Sequence, residues 1–172
     1  MDVNEFLVEA GGRGSSIGVH LQSDSPLIVP DGVEARRVDG AEIPTLDRSF
    51  DVFASAWHFP PWFGRNIHAL DDFMRDLDSM IEVALGKPPA PGYLTEIVNA
   101  QFLFDEEPNM LSFFARHILM YRDYYRDEAY QYRDEANPRA SFGLLLSAPA
   151  DHLGEVEDRC RAAGVDVVRV VD

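Results

Sequence analysis

Phe59-Pro60-Pro61-Trp62-Phe63-Gly64-Arg65-Asn66-Ile67-His68-Ala69-Leu70-Asp71-Asp72-Phe73-Met74 joins a proline-stiffened aromatic loop directly to an acidic amphipathic helix. Pro60 and Pro61 fix φ and bar helix there, Gly64 permits a tight turn, and Asn66 can accept from the first free N–H groups of a helix beginning near Ile67. Ile67, Leu70, Phe73, Met74, Leu77 and Ile81 recur at helical spacing, so the pattern predicts a helix that buries this stripe as far as Ile81. His68, Asp72, Arg75 and Asp76 project on the other side, and Asp71, Asp72, Asp76, Asp78 and Glu82 give the helix an excess of negative charge. Most charge-rich helix faces are simply solvated. The stretch has no metal-ligand spacing, phosphate loop or nucleophile, and this points to contact rather than chemistry.

Outward from this unit, Ala35 to Val38 reads as a strand, and Thr45 with Asp47 opens a helix carrying Leu46, Phe50, Phe53 and Trp57. Gly86-Lys87-Pro88-Pro89-Ala90-Pro91-Gly92 is a loop by proline density, and Tyr93 to Val98 is a central strand. Met110, Phe113, Phe114, His117, Ile118, Tyr121, Tyr124 and Tyr125 predict a long helix from about Asn109, with a polar continuation that frays or loops to Asn137-Pro138. Phe142 to Leu146 is an apolar run typical of a strand buried on both faces. Asp151 caps a helix to Ala163, Gly164 stops it, and Val165 to Val171 forms a last strand. At the N-terminus, Phe6 to Val8 and Ile17 to Leu21 flank Gly11-Gly12-Arg13-Gly14-Ser15-Ser16, for which a β-hairpin is the simplest account. No lysine-bearing helix follows these glycines, so they make a poor phosphate cradle. Strand–helix–strand order favours parallel pairing with right-handed crossovers.

The chain has 172 residues, enough for one domain with a sizeable core. A formal net charge of −15 disfavours nucleic-acid and anionic-membrane binding and makes a basic protein the natural complement. Cys160 is the only cysteine, so no intramolecular disulfide is possible. The acidic Met1-Asp2-Val3-Asn4-Glu5 start is unlike a signal peptide and no apolar run is long enough to span a bilayer; the expectation is a cytoplasmic protein without cofactor or metal.

Val38-Asp39-Gly40-Ala41-Glu42-Ile43, the helix from Thr45 through Trp57, and then Phe59-Pro60-Pro61-Trp62-Phe63-Gly64-Arg65-Asn66-Ile67-His68-Ala69-Leu70 together resemble the barstar family of ribonuclease inhibitors. Close similarity covers about residues 35 to 80, with a weaker echo through Tyr93 to Val98 and on to Ser147. The resemblance implies an α/β fold: a barstar-like small parallel sheet packed with helices. Within a single domain, 33–147 would be that core, 1–32 an N-terminal β-hairpin extension and 148–172 a C-terminal helix–strand unit. It also implies a protein that plugs the active site of a basic ribonuclease or nuclease toxin, its carboxylates standing where substrate phosphates would lie.

By that resemblance Trp62 stands where the family places a contact aromatic and Asp72 where it places its principal inhibitory carboxylate, while Gly64 and Asn66 match the loop. His68 and Arg65 depart from it, each replacing an acid and making the surface more positive. With Asp76, these seven residues are the candidate partner-binding set. The alternatives are a small acidic enzyme using His68 with Asp71 or Asp72 as an acid–base set, and a non-inhibitory adaptor on the same scaffold. His20, His58, His68, His117 and His152 lack the spacing of a helical zinc pair, and His117, on an apolar helix face, reads as a core histidine with one hydrogen bond. Tyrosines 121, 124, 125, 130 and 132 could stack nucleobases, but their acidic neighbours favour packing roles.

Overall fold

The computed structural model describes residues 1–129, 133 and 139–171. Five strands, β1 (Ile17–Leu21), β2 (Glu34–Asp39), β3 (Gly92–Val98), β4 (Ser141–Ala148) and β5 (Val168–Val170), form one sheet in the order β2-β3-β4-β1-β5. Every pairing is parallel, with Val38 opposite Ile97, Ile97 opposite Leu146, Val19 opposite Leu146 and Val19 opposite Arg169. The fold is α/β, as expected, and β4 at its centre is buried along nearly its whole length. β2, whose strand character was expected from Ala35 to Val38, is an edge.

Residues 1–32 are not a β-hairpin. Val3–Gly11 is a helix, α1, opened by a reciprocal capping box between Asp2 and Glu5, and it buries Val3, Phe6, Leu7 and Ala10. β1 then enters the sheet between β4 and β5 rather than pairing with its own neighbour in sequence. The Phe6 ring lies directly against the sheet because Gly18 and Gly143 lack side chains there: a Cβ on Gly143 would come within 2.8 Å of that ring. α1 and the segment from Leu27 to Val33 cover one face of the sheet, packing on Leu94, Leu145 and Val170.

The remaining helices cover the other face. They are α2 (Leu46–Ala56), α3 (Ile67–Met74), α4 (Leu77–Leu85), α5 (Met110–Asp127) and α6 (Leu153–Ala162). Trp57, Phe53, Leu70, Met74, Leu77, Ile81, Phe114, Tyr121 and Tyr125 meet Tyr93, Ile97, Phe142 and Leu144 in the principal core. Trp57 is fully buried, donates from Nε1 to Thr95 Oγ1 at 3.2 Å, and meets Tyr93 edge to face. α6 begins two residues later than its predicted cap, with His152 rather than Asp151 at the N-cap position, and β5 spans three residues only. The polar continuation beyond α5, including Tyr130, Tyr132 and Asn137-Pro138, lies outside the described residues apart from Arg133. Arg133 is buried against Asp78 at 2.8 Å and against the Ala90 carbonyl. Cys160 is buried, and burial pushes its thiol up to about 11.

The predicted stripe from Ile67 to Ile81 is buried as expected at Leu70, Met74, Leu77 and Ile81, but it belongs to two helices. The helix is interrupted at Arg75 and Asp76. Tyr125, reaching in from α5, satisfies the break: its hydroxyl donates to the Met74 carbonyl at 2.9 Å and accepts from the Leu77 N–H at 3.0 Å. A single inserted phenol replaces the two backbone partners that a continuous helix would have supplied.

Candidate functional site

The loop and α3 are locked by their own residues before anything else touches them. Asn66 is the N-cap, its Oδ1 accepting from the Ala69 N–H at 3.0 Å and its Nδ2 donating back to the Gly64 carbonyl at 3.1 Å. A Cβ on Gly64 would sit 3.1 Å from that same Nδ2, which gives the glycine a steric reason. The left-handed backbone lies one residue on, at Arg65 with φ of 45°. That conformation is uncommon outside glycine and asparagine, so something must hold it.

The holder is an ion-pair clamp. Arg65 Nε reaches Asp51 Oδ1 at 2.7 Å, and Nη2 reaches Asp51 Oδ2 at 2.9 Å and Asp47 Oδ2 at 3.0 Å. Asp47 and Asp51 are one turn apart on α2, so the guanidinium ties the loop to that helix. Its hydrogen bonds hold the Asp51 carboxyl below the usual range. Arg65 therefore adds little free positive charge to the surface, since two carboxylates face it.

Four aromatic rings brace the loop from the other side. Phe73 on α3 is the hub, with Phe59, Trp62 and Phe63 at centroid distances of 5.0, 5.3 and 5.7 Å. Trp62 nevertheless remains 75% exposed, an indole held on a rigid support with most of its surface in water.

Along α3 the acids divide into two kinds. Asp71 is inward: its Oδ1 accepts from His117 Nδ1 at 2.8 Å and from the Tyr121 hydroxyl at 2.6 Å, both on α5. An ionised carboxylate only accepts, so His117 carries its proton on Nδ1. Asp72 is outward, 76% exposed at the side chain, and among the described residues is met only by Arg75 Nη2 at 3.1 Å. His68 is also exposed and has no hydrogen bond or ion pair among the described residues. Asp76 sits exposed at the helix break, accepting from Ser79 Oγ at 2.6 Å.

The structure thus presents Trp62, His68 and Asp72 on one braced loop-helix unit, with Asp76 just beyond. His68 and Asp72 do not form the pair an acid–base reading needs. A different histidine–carboxylate pair, His117 with Asp71, is sunk between α3 and α5 and fixes α3 in place, consistent with His117 as a packed histidine. Among the described residues no group of three or more His, Cys, Asp or Glu is placed to hold a metal ion. Sequence reasoning missed the roles of Asp71, Phe73 and Arg75; the one signal for the first was the placement of His117 and Tyr121 four residues apart on α5.

Comparison with known families adds one finding: the family described as barstar (barnase inhibitor) matches residues 33–133, more than half of the chain. The chain belongs to the barstar family. No individually curated protein matches it. The match begins just before β2 and ends at the buried Arg133, so it takes in the braced loop, α3 and the Asp71 network. Members of this family are inhibitors rather than enzymes, and their partners are ribonucleases. Among the described residues no helix is long and apolar enough to cross a membrane.

The network gives a first expected result. Asp71→Ala leaves the buried Tyr121 hydroxyl and His117 Nδ1 without their acceptor, and an orphaned buried donor costs about 1–3 kcal/mol. The variant should melt several degrees lower than the parent protein, at roughly 2–4 °C per kcal/mol for a domain of this size. An unchanged melting curve would mean that Asp71 does not fasten α3 to α5.

Proposed function

We propose that this protein is an inhibitor of a basic ribonuclease or nuclease toxin, and that it blocks the enzyme's active site with the 59–66 loop and α3. The observation that carries the reading is the exposure of Trp62 and Asp72 on a unit immobilised by Asn66, the Arg65 clamp and the Phe73 ring cluster. Rigid aromatic and charged side chains lose little entropy on docking, which is what an interface anchor requires. The partner-binding set is Trp62, His68, Asp72 and Asp76, with Gly64, Arg65 and Asn66 shaping the loop that presents them. Family membership supports a ribonuclease as partner, and the net charge of −15 suits a basic one. The supporting scaffold is one domain, since β1 lies between β4 and β5. An inhibitor that shields its own cell acts in the cytoplasm, where we place it.

Barnase is the probe of choice, because the family is described by it. The protein should suppress RNA cleavage by barnase at stoichiometric amounts. Association should slow steeply as salt rises, because steering is screened beyond about 8 Å at physiological ionic strength, while dissociation changes much less. Absence of both binding and inhibition would remove barnase as the target class, and a salt-independent on-rate would argue for an apolar interface. His68 supplies a second arm. His68→Asp places a carboxylate where the ring faces a basic cleft, so it should bind barnase more tightly. A substitution without effect on affinity places His68 outside the interface.

A further inference from the structure

Asp72 is not bare in the free protein. Arg75 follows the last residue of α3; its Nε donates to the Asp71 carbonyl at 3.1 Å and its Nη2 to Asp72 Oδ1 at 3.1 Å. Its guanidinium carbon lies 5.8 Å from the Tyr124 ring centroid. Asp72, Arg75, Asp76, Ser79 and Tyr124 together line an open notch of about 450 Å³ at the break between α3 and α4. A guanidinium held between a carboxylate, a backbone carbonyl and an aromatic ring has the surroundings that an incoming arginine would seek.

We propose that Arg75 is a specificity-determining residue, an internal stand-in for the partner's cation that the partner must displace from Asp72. The inference rests on reading Asp72 as the anchor. Two consequences follow from charge alone. Arg75 partly neutralises the carboxylate that would steer a basic enzyme in. Once displaced it remains tethered beside the interface, where its positive charge meets positive side chains. Exposed pairs three residues apart on a helix are weak and salt-screened, so displacement is feasible. Arg75 therefore disfavours a cleft that is basic throughout, and specificity is set by repulsion as well as by contact. Such a device is absent from the contacts that the sequence pattern suggests, because it lies on the helix end and acts through Asp72.

The test compares the parent protein with Arg75→Gln, Arg75→Met and Arg75→Lys in binding to barnase at low and high salt. Both neutral variants should bind about three- to tenfold tighter than the parent at low salt, chiefly through faster association, and the gain should shrink as salt is added. Arg75→Lys, which keeps the charge, should stay within about twofold of the parent. Two neutral replacements are used so that a folding defect in one, seen by melting, leaves the other to decide. Neutral variants that bind as the parent does, or more weakly, overturn the role of Arg75 while leaving the inhibitor reading intact. Failure of the parent and all variants to bind barnase overturns both.

Discussion

Asp72→Ala should weaken binding to barnase by at least about 2 kcal/mol, roughly thirtyfold, while leaving the fold almost untouched. The contrast follows from where the carboxylate sits. Its side chain is 76% exposed and among the described residues its one partner is Arg75, an exposed pair three residues apart on a helix. Such pairs contribute about 0–1 kcal/mol, and at this exposure water screens most of that, so the melting temperature should move by no more than about 2 °C. In the complex we propose, the same carboxylate would exchange water for several fixed cations in a site shielded from solvent, and its removal would leave those cations buried without a counter-charge. Asp72→Asn should lose nearly as much as Asp72→Ala, since shape is kept and charge is not. Combining Asp72→Ala with Arg75→Gln should be non-additive, because the second change acts through the first residue. Titration calorimetry beside a thermal melt decides it, and unchanged affinity would discard carboxylate mimicry of phosphate.

Much of this surface was legible in the sequence because its determinants are local. Asn66 caps a helix three residues before the N–H it binds, Thr45 does the same for α2, and the apolar spacing of α5 reports its buried face directly. At the N-terminus two local cues compete. Asp2 and Glu5 form a capping box, and Val3, Phe6, Leu7 and Ala10 keep helical spacing, yet the glycine run that follows suggested a hairpin turn. The glycines end α1 and lead into β1 instead.

Other features could not be read locally at any level of care. The helix break after Met74 depends on the Tyr125 hydroxyl, 51 residues away in sequence. The insertion of β1 between β4 and β5 is a property of the whole sheet, and no residue between positions 17 and 21 encodes its neighbours. Along the sequence Arg65 adds positive charge to the loop, whereas in the fold Asp47 and Asp51, 18 and 14 residues earlier, face it. Charge read along a chain differs from charge on a surface whenever a clamp of this kind forms.

Raising the pH above about 10 should destabilise this protein unusually steeply. Tyr93, Tyr121 and Tyr125 are buried, and burial is the main cause pushing all three hydroxyls above the ordinary value, reinforced at Tyr121 by Asp71, at Tyr93 by Asp78, and at Tyr125 by Tyr93 and Asp78. A group whose folded pKa is raised contributes stability that is fully present below its unfolded pKa, here about 10, and is lost as pH climbs toward the folded value. Over that window the unfolded chain has released three tyrosyl protons that the folded protein still holds. Each costs about 1.4 kcal/mol per pH unit, so the three together remove about 4 kcal/mol per unit. Against an ordinary domain stability of about 5–15 kcal/mol, unfolding should begin between about one and four units above pH 10. The buried Cys160 thiol, pushed up to about 11, adds to this slope only below that pH, and Lys87 is the single lysine, the remaining cations being arginines. Denaturant melts at successive alkaline pH values should show the slope, and the tyrosinate absorbance of these three residues should appear together with loss of the helical signal. Tyr121→Phe should reduce the slope by about one third even though it lowers stability at neutral pH by removing a hydrogen bond to Asp71. A stability that stays flat above pH 10 would mean that these hydroxyls reach water in the folded state, and that Tyr125 does not seal the break on which the position of Asp72 depends.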